Sequence, residues 1–170
     1  MESEEKRGPQ QIDLDGILRA RVRRKKMRLV PRVLTRMLER FVCQDELNGI
    51  LRRTYPAVGS AFAEAALRDL DITLETAGEE NIPAEGRFIF ASNHPLGGLD
   101  GISLISVLGR RYGDEGIRFL VNDMLMNVAP LRNVFLPINK YGAQGRRAAA
   151  QIAEVYASDR QMLIFPAGLV

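Results

Sequence analysis

Residues 93–100 read Asn-His-Pro-Leu-Gly-Gly-Leu-Asp, and His94 is the only histidine in the chain. An imidazole carries a lone pair at neutral pH without large tuning, so it suits the work of a general base. Such a base needs a partner that fixes its tautomer, and a buried carboxylate does this in catalytic triads. Asp100 can fold back onto His94 if the loop between them turns sharply. Pro95, Gly97 and Gly98 supply a turn and a permissive backbone, and the Asn93 amide can brace it. For this spacing alone the plainer reading is a loop histidine, with Asp100 as the N-cap of a helix over 101–110. The two roles are compatible.

The elements that must position this loop are legible as two patterns. Residues 1–76 read as a helical region. Val30, Val33, Leu34, Met37, Leu38, Phe41 and Val42 recur at three and four, the stripe of an amphipathic helix. Shorter helices are expected over 45–53 and 59–70, divided by Tyr55-Pro56, and 72–76 alternates as a short strand. Residues 77–170 alternate strand and helix: strands over 88–91, 117–121, 135–138 and 162–165, and helices over 101–110 and 144–157. A helical turn is expected over 124–129, and Pro137 predicts an irregular third strand. Short apolar strands separated by helices imply an α/β fold with a mostly parallel sheet flanked by helices. In such sheets ligands sit beyond the strand carboxyl ends, where His94 follows Phe88-Ile89-Phe90-Ala91.

Composition narrows the function classes. With 170 residues and 46% hydrophobic content the chain can bury a core. It lacks the run of about 18 apolar residues that crosses a bilayer, and its polar start lacks the apolar core of a signal peptide. One cysteine, Cys43, leaves no internal disulfide and fits a reducing compartment. One His and one Cys cannot complete a structural zinc site. The chain stops soon after a strand-to-loop signal, so a missing C-terminal part of the α/β core is expected.

The wider pattern resembles the glycerolipid acyltransferase superfamily, which includes 1-acylglycerol-3-phosphate O-acyltransferases. Asn93-His94 with Asp100 looks like its first motif. Phe165-Pro166-Ala167-Gly168 looks like its Phe-Pro-Glu-Gly block. Gln44-Asp45-Glu46-Leu47-Asn48, within the helical region, is similar to a bacterial, hemolysin-like branch linked to amino-acid-containing lipids. The resemblance runs over residues 15–170 and implies acyl transfer from an acyl-carrier-protein or coenzyme A thioester to a lyso-lipid, with no cofactor and no metal. It implies His94 as general base and Asp100 as its orienting acid. Asn93, Gly97, Gly98, Lys140, Phe165, Pro166 and Gly168 would bind substrate, with backbone N–H groups near Gly97, Gly98 or 165–168 stabilising the oxyanion.

The chain departs from the family pattern in three ways. Five residues separate His94 from Asp100 where the superfamily has four, and Gly97-Gly98 would absorb the extra one. Ala167 replaces the acidic residue of the later block. The phosphate-binding arginine of the second motif has no match, and Lys140 is the nearest substitute; a solvated loop lysine is an equal reading. These departures move the expected acceptor from lysophosphatidate toward a lyso-aminolipid.

Charge adds a surface. Net charge is only +3, yet residues 19–28 read Arg-Ala-Arg-Val-Arg-Arg-Lys-Lys-Met-Arg. Arg23, Arg24, Lys25 and Lys26 would lie on an anionic membrane, or else form a solvated helix face. Nucleic acid is disfavoured: aromatics are 6% and none interleave with the basic run. Residues 142–147, Gly-Ala-Gln-Gly-Arg-Arg, read as a turn before a helix, with donor-phosphate binding at that helix start as the other reading. The expectation is a peripheral acyltransferase on the cytoplasmic face of the cell membrane. A hydrolase is disfavoured because no Gly-x-Ser-x-Gly occurs. The other alternative is a truncated, inactive lipid-binding module.

Overall fold

The computed structural model describes residues 8–9, 11–13, 44–138 and 146–166. The helix read over 30–42 and the basic run lie outside them. The chain divides into two compact units, residues 1–56 and 57–170.

In the first unit, helix α1 spans Gln44–Arg53. Asp45 and Glu46 lie in its first turn and Arg52 and Arg53 in its last, matching the helix dipole at both ends. Ile50 and Leu51 are buried. Asn48 is buried too, and its amide is used twice. It accepts from the Ile12 N–H at 2.7 Å and donates to the Ile12 carbonyl at 3.1 Å. A buried amide is tolerated only with such partners.

The second unit holds a four-stranded parallel sheet in the order β1-β4-β2-β3. Strand β1 is Ile89–Ala91, β2 Ile117–Asn122, β3 Phe135–Ile138 and β4 Gln161–Ile164. Helix α2 (Gly59–Asp69) precedes the sheet, α3 (Gly98–Tyr112) joins β1 to β2, and α4 (Arg146–Ala157) joins β3 to β4. These two crossovers traverse the sheet in opposite directions. Right-handed connections therefore put α3 and α4 on opposite faces. Ile152 and Val155 of α4 pack with Leu120, Leu136 and Met162 on one face. Strand alternation turns Ile117 and Phe119 to the other, and both are almost wholly buried.

The α/β architecture is as expected. Two local expectations are corrected. Residues 72–76 form no strand: burial alternates along them, but they join no ladder. Period two reports one covered face, not a hydrogen-bonded neighbour. Strand β3 runs unbroken through Pro137, which pairs with Val121. Its missing N–H is tolerated because β3 is an edge of the sheet among the described residues.

Helices α2 and α3 approach closely because their contact uses small residues. Gly109 of α3 faces Ser60 of α2, and a Cβ on Gly109 would come within 2.4 Å of the Ser60 Cβ. The start of α2 has no side-chain cap of its own. A remote carboxylate serves instead: Asp114 Oδ1 accepts from the Ser60 N–H at 3.0 Å, and Asn133 Nδ2 donates to Oδ2 at 3.3 Å. Gly59 has a φ of +57°, and a Cβ there would strike Asp114.

Gly109→Ala should therefore destabilise the protein by about 1–3 kcal/mol in urea denaturation, the cost of overpacking a tight contact. Gly101→Ala, in the same helix with nothing within 4 Å of its added Cβ, should raise stability by about 0.5–1 kcal/mol. Equal effects would show that the α2–α3 contact does not depend on Gly109.

Candidate functional site

The site is built on the pairing of β1 with β4. Ala91 lies level with Ile164 at their carboxyl ends, and the Ser92 N–H donates to the Ile164 carbonyl at 3.1 Å. At the other end the buried Gln161 accepts from the Phe88 N–H at 2.8 Å and donates to the Gly86 carbonyl at 2.7 Å. Edge strand β1 is thus held at both ends, which fixes where residues 93–97 leave the sheet.

The loop then turns back on itself. Gly97 has φ 63° and ψ −124°, a conformation that costs little only for glycine. Helix α3 starts at Gly98, three residues earlier than expected, and the Asp100 N–H already donates to the Gly97 carbonyl at 3.1 Å. Asp100 is therefore not the N-cap but a first-turn residue. Its carboxylate reaches back across the turn, and Oδ2 accepts from the Leu96 N–H at 2.8 Å. Acidic residues inside a first turn commonly satisfy amides before the helix in this way, and the helix dipole favours the charge there.

The same oxygen meets the histidine. His94 Nδ1 lies 3.4 Å from Asp100 Oδ2, with the two side chains 33% and 16% exposed. One carboxylate oxygen of Asp100 thus both ties the turn and faces the imidazole. With Nδ1 facing the carboxylate, Nε2 is the nitrogen left to meet another molecule, and one-third exposure leaves it an approach. A second contact comes from the far end of the chain. Phe165 follows β4 directly, and its ring stacks on the imidazole with centroids 4.2 Å apart and planes inclined by 27°.

The structure brings His94, Asp100, Gly97, Gly98 and Phe165 together. Asn93 and Pro166 are exposed beside them, and the Asn93 carbonyl accepts from Ser92 Oγ at 2.9 Å. Lys140, Gly168, Arg23, Arg24, Lys25 and Lys26 lie outside the described residues. Two features escaped the sequence reading: the Leu96 amide tie and the Phe165 ring contact. The first had a signal, an acidic residue three positions after a glycine that can begin a helix. The second had none, because adjacency of β1 and β4 is not written in either strand. Among the described residues no cluster of three or more His, Cys, Asp or Glu could hold a metal ion, and no helix is long and apolar enough to cross a membrane.

Gly97 and Gly98 separate backbone need from space. Neither has an atom within 4 Å of an added Cβ, but only Gly97 has positive φ. Gly97→Ala should cost about 1–3 kcal/mol of stability through backbone strain, whereas Gly98→Ala should be nearly neutral in the same thermal melts. Matching melting temperatures would mean that the turn does not require a glycine.

Comparison with known proteins supplies a family for the chain. A lyso-glycine lipid O-acyltransferase from Bacteroides thetaiotaomicron is 43% identical over 158 residues, covering 93% of this chain and 57% of the relative. A protein of the same name from Phocaeicola vulgatus is 42% identical over 158 residues, covering 93% of this chain and 56% of its own. The chain thus spans a little over half the length of these relatives. No solved structure matches it. The acyltransferase family profile matches residues 19–170, and on this match and these relatives the chain belongs to the acyltransferase family.

Proposed function

We propose that the protein is an O-acyltransferase that moves a fatty acyl group from a thioester, on an acyl carrier protein or coenzyme A, to a lyso-lipid hydroxyl. The acceptor class is a lyso-aminolipid of the lyso-glycine type rather than lysophosphatidate. The His94–Asp100 contact at the carboxyl end of β1 carries the reading. The names of the two relatives and the departures at Ala167 and Lys140 support the choice of acceptor.

The chemistry follows from the ring's orientation. Asp100 faces Nδ1, so Nε2 takes the proton of the acceptor hydroxyl as its oxygen attacks the thioester carbonyl. The imidazolium that forms is stabilised by the Asp100 carboxylate. Negative charge on the carbonyl oxygen needs N–H donors. Gly98 and Leu99 lie in the first turn of α3, where amides lack intrahelical acceptors. Collapse of the tetrahedral intermediate breaks the C–S bond, and the proton on Nε2 passes to the leaving thiolate. The balance is one ester formed, one thioester lost and one thiol released, with no covalent enzyme intermediate.

A lipid acceptor requires access to a membrane. The reading therefore keeps the protein peripheral on the inner face of the cell membrane, with Arg23, Arg24, Lys25 and Lys26 against anionic lipid. Reversing all four charges should weaken co-sedimentation with anionic vesicles most at low salt, where screening is least. Unchanged binding at every salt concentration would remove these residues from the membrane role.

Purified protein given an acyl thioester and lyso-glycine lipid should yield a lipid heavier by one acyl group in mass spectrometry. His94→Ala should reduce the rate by about 10²–10⁴-fold, the usual contribution of a general base, without a comparable loss of stability. Asp100→Asn should fall between the two. Lysophosphatidate acylated in preference to lyso-glycine lipid would overturn the acceptor assignment. A fully active His94→Ala would overturn the mechanism.

A further inference from the structure

Asp100 alone does not hold the His94 ring. Its contact is at one atom, Nδ1 to Oδ2 at 3.4 Å, and a ring fixed at one edge can still swing about that contact. The second constraint is the Phe165 ring, stacked against the imidazole face at 4.2 Å. We infer that Phe165 is a positioning residue for proton transfer: its ring holds the imidazole face so that Nδ1 stays on Asp100 while Nε2 meets the acceptor hydroxyl. This rests on the acyl-transfer reading above.

Phe165 is itself well placed to be rigid. Ile164, the residue before it, is level with Ala91 and accepts the Ser92 N–H. One strand further into the sheet, Leu163 of β4 is level with Phe119 of β2. Pro166 follows, and a residue before proline is confined to extended backbone. Phe165 thus sits between a paired strand and a proline, with its backbone restrained on both sides. The Phe-Pro pair therefore divides its labour: Pro166 restricts the backbone and Phe165 presents the ring. A second benefit appears once His94 has taken its proton, because an aromatic face attracts a cation lying on it. No part of this requires Phe165 to touch the lyso-lipid or the thioester.

His94 being the only histidine of the 170 residues, imidazole NMR of this chain reads this ring alone. In the wild type, the ring protons should show the upfield shift of a stacked neighbour, and the ¹⁵N shifts should report one tautomer with its proton on Nδ1. In Phe165→Leu the upfield shift should vanish and the tautomers should mix, while kcat falls about 10- to 100-fold, the cost of a slightly misplaced catalytic group, with KM little changed. Phe165→Tyr, which keeps the ring, should restore the single tautomer and most of the rate. A Phe165→Leu protein with wild-type kcat overturns the inference, as does a loss confined to KM or an equal loss in Phe165→Tyr. If the wild type acylates no acceptor, the acyl-transfer reading falls by itself. The imidazole spectra then decide the ring contact, and an unchanged tautomer in Phe165→Leu overturns it.

Discussion

The parallel pairing of β1 with β4 is the constraint on which the site depends. It joins the strand before His94 to the strand before Phe165, two segments far apart along the chain. Ser92 on Ile164 closes the ladder at the carboxyl end, and Gln161 on Phe88 and Gly86 closes it at the amino end. Because the strands are parallel, both chains leave the sheet at the same end and on adjacent paths. The histidine and the aromatic ring meet there without any long loop having to be ordered for the purpose. An antiparallel pairing of the same segments would send them to opposite ends.

Within that frame the loop uses few groups for several tasks. Asp100 Oδ2 accepts the Leu96 amide and faces His94 Nδ1. The atom that shapes the turn therefore also orients the imidazole, so loop geometry and ring geometry cannot drift apart independently. Between His94 and Asp100 the turn is made at Gly97, whose backbone conformation few other residues adopt cheaply. The helix begins at once afterwards, and its first turn brings the Asp100 carboxylate back to the histidine.

Behind the site, α3 carries the carboxylate and must itself be fixed. The close approach of Gly109 to Ser60 and the remote cap of α2 by Asp114 tie α3 to α2. The Phe90 ring of β1 lies 6.1 Å from the Tyr112 ring at the end of α3. The carboxylate and the histidine thus stand on elements that contact one another directly, which limits the relative motion of the two groups.

Local pattern was enough for much of this. Apolar runs bounded by turn residues marked the four sheet strands, although only β2, β3 and β4 are buried or half-buried along their length, while Ile89 and Ala91 of β1 are exposed. The motif residues His94 and Asp100 were visible as a base and an acid joined by permissive backbone. The start of α3 was misplaced because glycine at 97 and 98 reads as loop, whereas here it begins a helix. The alternation over 72–76 was real but had no partner strand, and no local pattern can supply one. Strand order was beyond the sequence altogether, since each strand carries the same apolar character whichever neighbour it takes. The sequence alone therefore determined which side chains could act as base and orienting acid, and that residue 165 carries an aromatic ring, because those are properties of residue type. Only the tertiary structure decided that they meet, because the β1–β4 pairing is a long-range choice made by packing of the whole sheet.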